Sequence, residues 1–207
     1  MTPRLQTLAE SLKKKAAELV DPRRKYNCQD QDHSSWDERA EAAVGLLASA
    51  SSELSAGPLE IADFGCGNER LRGVLSERLA LPFQYQGYDL HPQSEHVERL
   101  DVKRSLPQRR FDVVFCLGLV EYLQDVELFV RRLADVCSTA VASYVVTDAA
   151  AALSSAERRK RRWLSDYTKT ELEEIFQSSG FVCEASTTVD NGATEIWLWT
   201  ARRPESS

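Results

Sequence analysis

A chain of 207 residues, 43% hydrophobic and 28% charged, has the make-up of one globular domain with at most a terminal extension, and can bury a core without disulfides or a structural metal. Its net charge of −6 argues against broad nucleic-acid binding, which needs a basic footprint. Cys28, Cys66, Cys116, Cys137 and Cys183 form no CxxC pair, and His33, His91 and His96 show no ligand spacing, so reduced thiols and no metal site are expected.

The chain opens on an amphipathic helix, with Pro3 in its first turn, Leu5, Leu8, Leu12, Ala16 and Leu19 at helical spacing, and Asp21-Pro22 as its stop. Met1–Val20 lacks the apolar core of a signal peptide and no later run is long enough to span a bilayer, so a cytoplasmic location is expected. After a polar stretch, Ser35-Trp36-Asp37-Glu38 has the capping-box pattern and starts a second helix through Ala43, Val44 and Leu47. Small residues from Ser49 to Pro58 mark a boundary, giving an N-terminal helical extension over 1–57 and a sheet domain over 58–207.

Beyond Pro58, strand-length apolar segments alternate with helical ones. Strands are predicted at 59–64, 83–90, 97–102, 111–117 and 140–147, with helices at 69–79 and 120–136. The run Phe111-Asp112-Val113-Val114-Phe115-Cys116-Leu117 fits a strand buried on both faces. This alternation means βαβ units, a mostly parallel sheet and helices on both faces. A second capping box, Thr168-Lys169-Thr170-Glu171, opens a helix that Gly180 closes. Two further strand-like runs, 181–189 and 193–201, flank Asp190-Asn191-Gly192, which predicts a terminal antiparallel hairpin.

The segment that carries chemistry is Asp63-Phe64-Gly65-Cys66-Gly67-Asn68-Glu69-Arg70, where a strand turns through two glycines into a helix. Glycines suit a sharp turn where ligand meets bare backbone, and the helix start offers free N–H groups. A dinucleotide fingerprint would place a third glycine where Arg70 stands, which counts against a nicotinamide-dependent oxidoreductase. Asp89, about twenty residues beyond the loop at a strand end, is placed to accept hydrogen bonds from ribose hydroxyls.

Together these residues resemble the class I S-adenosylmethionine-dependent methyltransferases, from about Leu59 to Arg202. The resemblance implies an α/β fold: a Rossmann-like, seven-stranded, mostly parallel sheet with a C-terminal antiparallel hairpin, helices on both faces and an N-terminal helical extension. It implies S-adenosylmethionine as cofactor, with Asp63, Gly65, Cys66 and Gly67 as the first motif. The family's third glycine falls on Glu69, a departure. Asp89, with Leu90 beside it, falls where the ribose is held. Asp101 falls near the adenine amino group, with Val102 offering backbone. Cys116 and Leu117 end the fourth-strand motif, and Val120-Glu121-Tyr122-Leu123 stands where many members read LEHL.

Methyl transfer from a sulfonium is an in-line displacement, so a general base is needed only for an acceptor that must lose a proton. Glu121 and Tyr122, just past the fourth strand, are the catalytic candidates, although helix stabilisation by Glu121 and packing by Tyr122 explain them equally well. Tyr26, Trp36 and Arg39 are candidate contacts in the extension, with Arg39 suited to the methionine carboxylate, while a core role for Trp36 is the alternative. The main reading is transfer to a small-molecule or glycan-type acceptor. A second is RNA or protein methylation, or an acidic acceptor, through the basic run Arg158-Arg159-Lys160-Arg161-Arg162, which is otherwise a solvated helix face. A third is a non-catalytic binding or scaffold protein on the same fold.

Overall fold

The computed structural model describes residues 33–50 and 57–202, with side chains from Trp36 onward. The first predicted helix, Tyr26, Cys28 and the Ser35 side chain lie outside the described residues. Five helices are named here: α1 (His33–Ser49), α2 (Arg70–Arg78), α3 (Val126–Val136), α4 (Ser155–Lys160) and α5 (Lys169–Ser178). Seven strands, β1 (Leu59–Phe64), β2 (Phe83–Asp89), β3 (Val97–Arg99), β4 (Phe111–Cys116), β5 (Cys137–Val145), β6 (Phe181–Val189) and β7 (Thr194–Ala201), form one sheet in the order β3-β2-β1-β4-β5-β7-β6. β1 to β5 pair in parallel, and β7 runs antiparallel to both β5 and β6. The strand order reverses between β1 and β4, and the crevice beyond the carboxyl ends of strands at such a point is where open α/β sheets take ligands.

Both faces of the sheet are covered, which is why β1, β4 and β5 are buried almost throughout. Ile61, Val113, Phe115 and Val141 pack against Ala40, Ala43, Val44 and Leu47 of α1 and Leu71 and Leu75 of α2. On the other face Ala62, Val114, Ala140, Trp197 and Trp199 meet Phe129, Val130 and Leu133 of α3 and Leu172 and Phe176 of α5. Phe176 stacks on Trp199 with ring centroids 4.7 Å apart. Each buried valine, leucine, isoleucine or phenylalanine among them contributes roughly 1.5–3 kcal/mol.

Several elements differ from expectation. α1 begins at His33, so Ser35 lies within the helix rather than before it. The single helix predicted over 120–136 is broken: a 3-10 turn, Val120–Tyr122, ends at an extended Leu123, and α3 restarts after Asp125, whose carboxylate accepts from the Leu128 N–H at 2.9 Å. β5 starts at Cys137 and stops at Val145, earlier at both ends than predicted. β3 is cut to Val97–Arg99. The Thr168 capping box forms with both of its bonds, and Gly180 follows the helix at φ +92. The hairpin turn is wider than a two-residue Asn-Gly turn, a 3-10 turn over Asp190–Gly192 with positive φ at all three residues.

Residues 90–96 alone join β2 to β3, and the two strands pair in parallel with Gly87 opposite Val97. Parallel neighbours are usually joined by a dozen or more residues containing a helix. None is present here, and a groove of about 370 Å³ lined by Glu69, Arg72, Tyr85, Gln86, Glu95, His96 and Glu98 lies at that edge.

Candidate functional site

β1 delivers Asp63 to the switch point at 4% exposure, where its carboxylate accepts from the Tyr85 hydroxyl at 2.9 Å. Burial pushes the Asp63 pKa up to about 7; the Tyr85 hydrogen bond opposes the rise, and the charges of Asp89 and Glu69 add to it. The chain then turns through Gly65 at φ +79 and Gly67 at φ +54, conformations that side chains rarely adopt. The N–H groups of Gly65 and Cys66 both donate to the Tyr88 carbonyl, at 2.8 and 3.1 Å, which binds the loop to β2. A Cβ on Gly67 would meet nothing within 4 Å, so bare backbone faces open space.

Asp89 closes this cradle from the tip of β2. One carboxylate oxygen accepts from the Gly67 N–H at 3.0 Å and the other from the His91 N–H at 2.8 Å. Each oxygen has two acceptor sites, so each keeps one for a hydroxyl of a diol. Glu69, where the resembled loop has glycine, adopts φ 60 and ψ 29, the left-handed conformation a glycine would take. For a non-glycine residue this costs about 1–2 kcal/mol. Its carboxylate accepts from the Ser94 hydroxyl at 2.8 Å.

The other predicted cofactor residues lie along the same edge. Leu90 directly follows β2. Asp101 follows β3, accepts from the Lys103 N–H at 3.2 Å and pairs with Arg104 at 3.4 Å, and Val102 beside it is buried. Cys116 ends β4 and Leu117 follows it, and both are buried. Burial raises the thiol pKa of Cys66 and Cys116 well above the ordinary value, which keeps them protonated and leaves their backbone, not their sulfur, to meet a ligand.

A second cluster sits over the ends of β4 and β5. The Gly118 N–H donates to Ser143 Oγ at 2.9 Å. At φ +61 a Cβ on Gly118 would lie 2.4 Å from Trp36 Cη2, so the indole of α1 rests directly on backbone. Arg39 stacks over that indole at 4.6 Å. Its Nη2 donates to Asp190 at 3.0 Å and Thr194 at 3.3 Å, tying α1 to the hairpin, while its buried Nε has no partner. Glu121 is 1% exposed. Its Oε1 accepts from the Val145 N–H at 3.1 Å and its buried Oε2 has no partner. Burial raises its pKa, against the lowering by Arg39, its own and the Val145 N–H, and Arg158. Tyr122 packs with Leu153 against Val145, Trp163 and Ala193.

The basic run is not one exposed face. Arg158 is 1% exposed and donates to Asp166 at 2.6 Å, the Val145 carbonyl at 2.6 Å, the Tyr144 hydroxyl at 2.8 Å and the Ser165 carbonyl at 2.9 Å. Tyr144 is fully buried as the partner of Arg158, Ser165 and the Tyr167 N–H. Arg158 therefore pins the segment after β5 to the sheet. Arg159 is the run's second link to Asp166, at 3.3 Å, and Arg161 lies over Trp163 at 5.5 Å.

Sequence reasoning missed Tyr85, Ser94, Ser143, Asp190 and Thr194. No local pattern announces them. Arg39 and Asp190 are 151 residues apart, and only the closed sheet brings them together.

A family model described as a methyltransferase domain matches residues 35–186. The chain belongs to this methyltransferase family. Its fold is that of the class I enzymes, and S-adenosylmethionine is the cofactor of the family. Burkholderia thailandensis 1,6-didemethyltoxoflavin-N1-methyltransferase, solved with 1,6-didemethyltoxoflavin and S-adenosylhomocysteine, is 17% identical, covers 94% of this chain and 90% of its own, and superposes with a TM-score of 0.63. Magnesium protoporphyrin IX methyltransferase (ChlM) from Synechocystis PCC 6803, with bound S-adenosylhomocysteine, is 13% identical over 87% of this chain and 92% of its own, with a TM-score of 0.59. The [4+2]-cyclase SpnF is 14% identical over 84% of each chain, with a TM-score of 0.61, so the shared fold does not by itself fix the reaction. No curated protein matches the sequence. The residues of the methyltransferase cradle fit the cofactor: bare backbone at Gly67 and a diol-ready carboxylate at Asp89 are what an adenosine needs. Among the described residues no helix is long and apolar enough to cross a membrane.

Proposed function

We propose that this chain transfers a methyl group from S-adenosylmethionine to a small-molecule or glycan-type acceptor. The observation that carries the reading is the Asp89 carboxylate, fixed by the Gly67 and His91 N–H groups beside open glycine backbone. The bound cofactor supplies a methyl group already activated on a sulfonium. Asp63, Gly65, Cys66 and Gly67 hold its methionine end, Asp89 with Leu90 its ribose, Asp101 with Val102 its adenine edge, and the backbone of Cys116 and Leu117 the floor. Asp190 and Thr194 occupy Arg39 Nη2, which leaves its Nη1 and Nε to offer a carboxylate.

Glu121 is the base for an acceptor that must lose a proton: its raised pKa makes it a better proton acceptor than an ordinary glutamate, and its Oε2 is uncommitted. Burial of Arg158 removes one cation from the surface that an RNA acceptor would need, which favours the small-molecule reading over the RNA one. The acceptors named for the two methyltransferases above, 1,6-didemethyltoxoflavin and magnesium protoporphyrin IX, agree with it.

Calorimetry with S-adenosylmethionine, S-adenosylhomocysteine and NADH tests the proposal. Binding of the first two and not the third is expected, with Asp89→Ala weakening both about 100-fold as two charge-assisted hydrogen bonds are lost. A folded chain that binds neither, or an Asp89→Ala variant that binds like the unaltered chain, overturns it and favours a scaffold role.

A further inference from the structure

We propose that Glu69 is a positioning residue, latching the glycine loop to the β2–β3 connection and so holding the cofactor cradle closed. The proposal rests on the cofactor reading above.

Residues 90–96 carry Leu90 and His91, beside the Asp89 carboxylate, yet have no crossover helix behind them. Side chains hold this segment instead. Gln86 Nε2 donates to the His96 carbonyl at 3.1 Å, and the Ser94 hydroxyl donates to Glu69 Oε2 at 2.8 Å. The second bond reaches the glycine loop. It joins the same two segments that the Asp89 carboxylate joins through the Gly67 and His91 N–H groups. Two ties, one through Asp89 and one through Glu69, thus set the spacing between loop and connection.

The backbone supports a dedicated role. Glu69 precedes α2 in the left-handed conformation, at φ 60 and ψ 29, and makes no side-chain capping bond to the helix. Glycine would adopt this conformation without strain, and glycine is what the resembled loop carries here. A strained residue persists when its surroundings over-determine it, and such residues gather at functional sites. What Glu69 has that glycine lacks is a carboxylate, 17% exposed, which takes the Ser94 bond and pairs with Arg72 at 3.4 Å.

The test separates latch from stability. Glu69→Gly relieves the left-handed strain, so its Tm should hold or rise. Its Kd for S-adenosylhomocysteine, by calorimetry, should nevertheless rise about tenfold, the loss expected for one hydrogen bond to a charged group. Ser94→Ala should weaken binding similarly, and the double variant should be no weaker than either single one. Glu69→Gln, whose amide oxygen can still accept from Ser94, should recover most of the affinity. If the unaltered chain binds and Glu69→Gly and Ser94→Ala bind equally well, the latch is overturned and the cofactor reading stands. The latch also falls if affinity merely tracks Tm. If the unaltered chain binds no S-adenosylhomocysteine, the cofactor reading falls and the latch with it.

Discussion

The two halves of the site are built from different materials. Over β1 and β2 the cradle is mostly backbone: positive φ at Gly65 and Gly67, N–H groups aimed at the Tyr88 carbonyl, and N–H groups aimed at the Asp89 carboxylate. Over β4 and β5 side chains do the holding: Arg39 to Asp190, Arg158 to Tyr144 and Asp166, Glu121 to the Val145 N–H. Backbone geometry constrains the residues that form it, so the first half leaves a motif. Side-chain pins between distant segments can be replaced by other pairs, so the second half leaves none. The same division would let the acceptor change while the cofactor half stays put.

If the division is real, breaking the largest pin should damage stability and the acceptor half and spare the cradle. Arg158→Met removes a buried cation and strands the acceptors around it, at a cost of about 3–5 kcal/mol, or roughly 10 °C in Tm for a chain of this size. The folded fraction should keep its affinity for S-adenosylhomocysteine. Thermal melts with calorimetry below the transition check both. Should Arg158→Met melt like the unaltered chain while glutamates at Arg159, Lys160 and Arg161 abolish salt-sensitive RNA binding, the segment is a polyanion surface and the pin is misread.

The cradle has a weakness of its own, the buried Asp63. Its pKa in the folded chain, raised by burial to about 7, stands above the unfolded value of 3.8. Between those values the folded state holds a proton that the unfolded state has released. Stability therefore falls as pH rises from about 4 to about 7, by no more than about 1.4 kcal/mol per pH unit and about 3 kcal/mol in all. Asp63→Asn keeps an oxygen for the Tyr85 hydroxyl and removes the titration. Denaturant melts from pH 4 to 8 should show a decline in the unaltered chain that is absent in the variant; parallel curves would mean Asp63 titrates normally.

The same contrast sets what the sequence could disclose. The alternation of strands and helices, the hairpin and the glycine loop were legible, because hydrophobic period and turn chemistry are local. The break at Leu123–Asp125 was not, since Leu123, Val126 and Phe129 continue one apolar stripe across it; Asp125 as a new helix cap was the signal overlooked. The basic run misled because charge reads as solvated, and the Tyr144, Val145 and Ser165 partners that bury Arg158 are visible only once β5 is in place. Glu69 was visible as a departure from the family pattern, but its left-handed backbone and its bond to Ser94 were not.

The finest probe of the division is Glu121, which belongs to the side-chain half by its contacts and to catalysis only by inference. Glu121→Gln preserves volume and leaves an amide oxygen for the Val145 N–H, so the pin survives and the proton acceptor does not. If Glu121 takes a proton from the acceptor, kcat should fall about 100-fold, the low end for losing a general base, with Tm and cofactor Kd little changed. The pH profile adds a sign. A base must be ionised to act, and burial raises the pKa of this one, so kcat/KM in the unaltered enzyme should decline as pH falls through a value above that of an ordinary glutamate. The variant should lose that limb. A variant that turns over normally but melts early would return Glu121 to the structural pins beside Arg158, and the acceptor would then need no proton removed, as for an amine or thiolate already carrying a free electron pair.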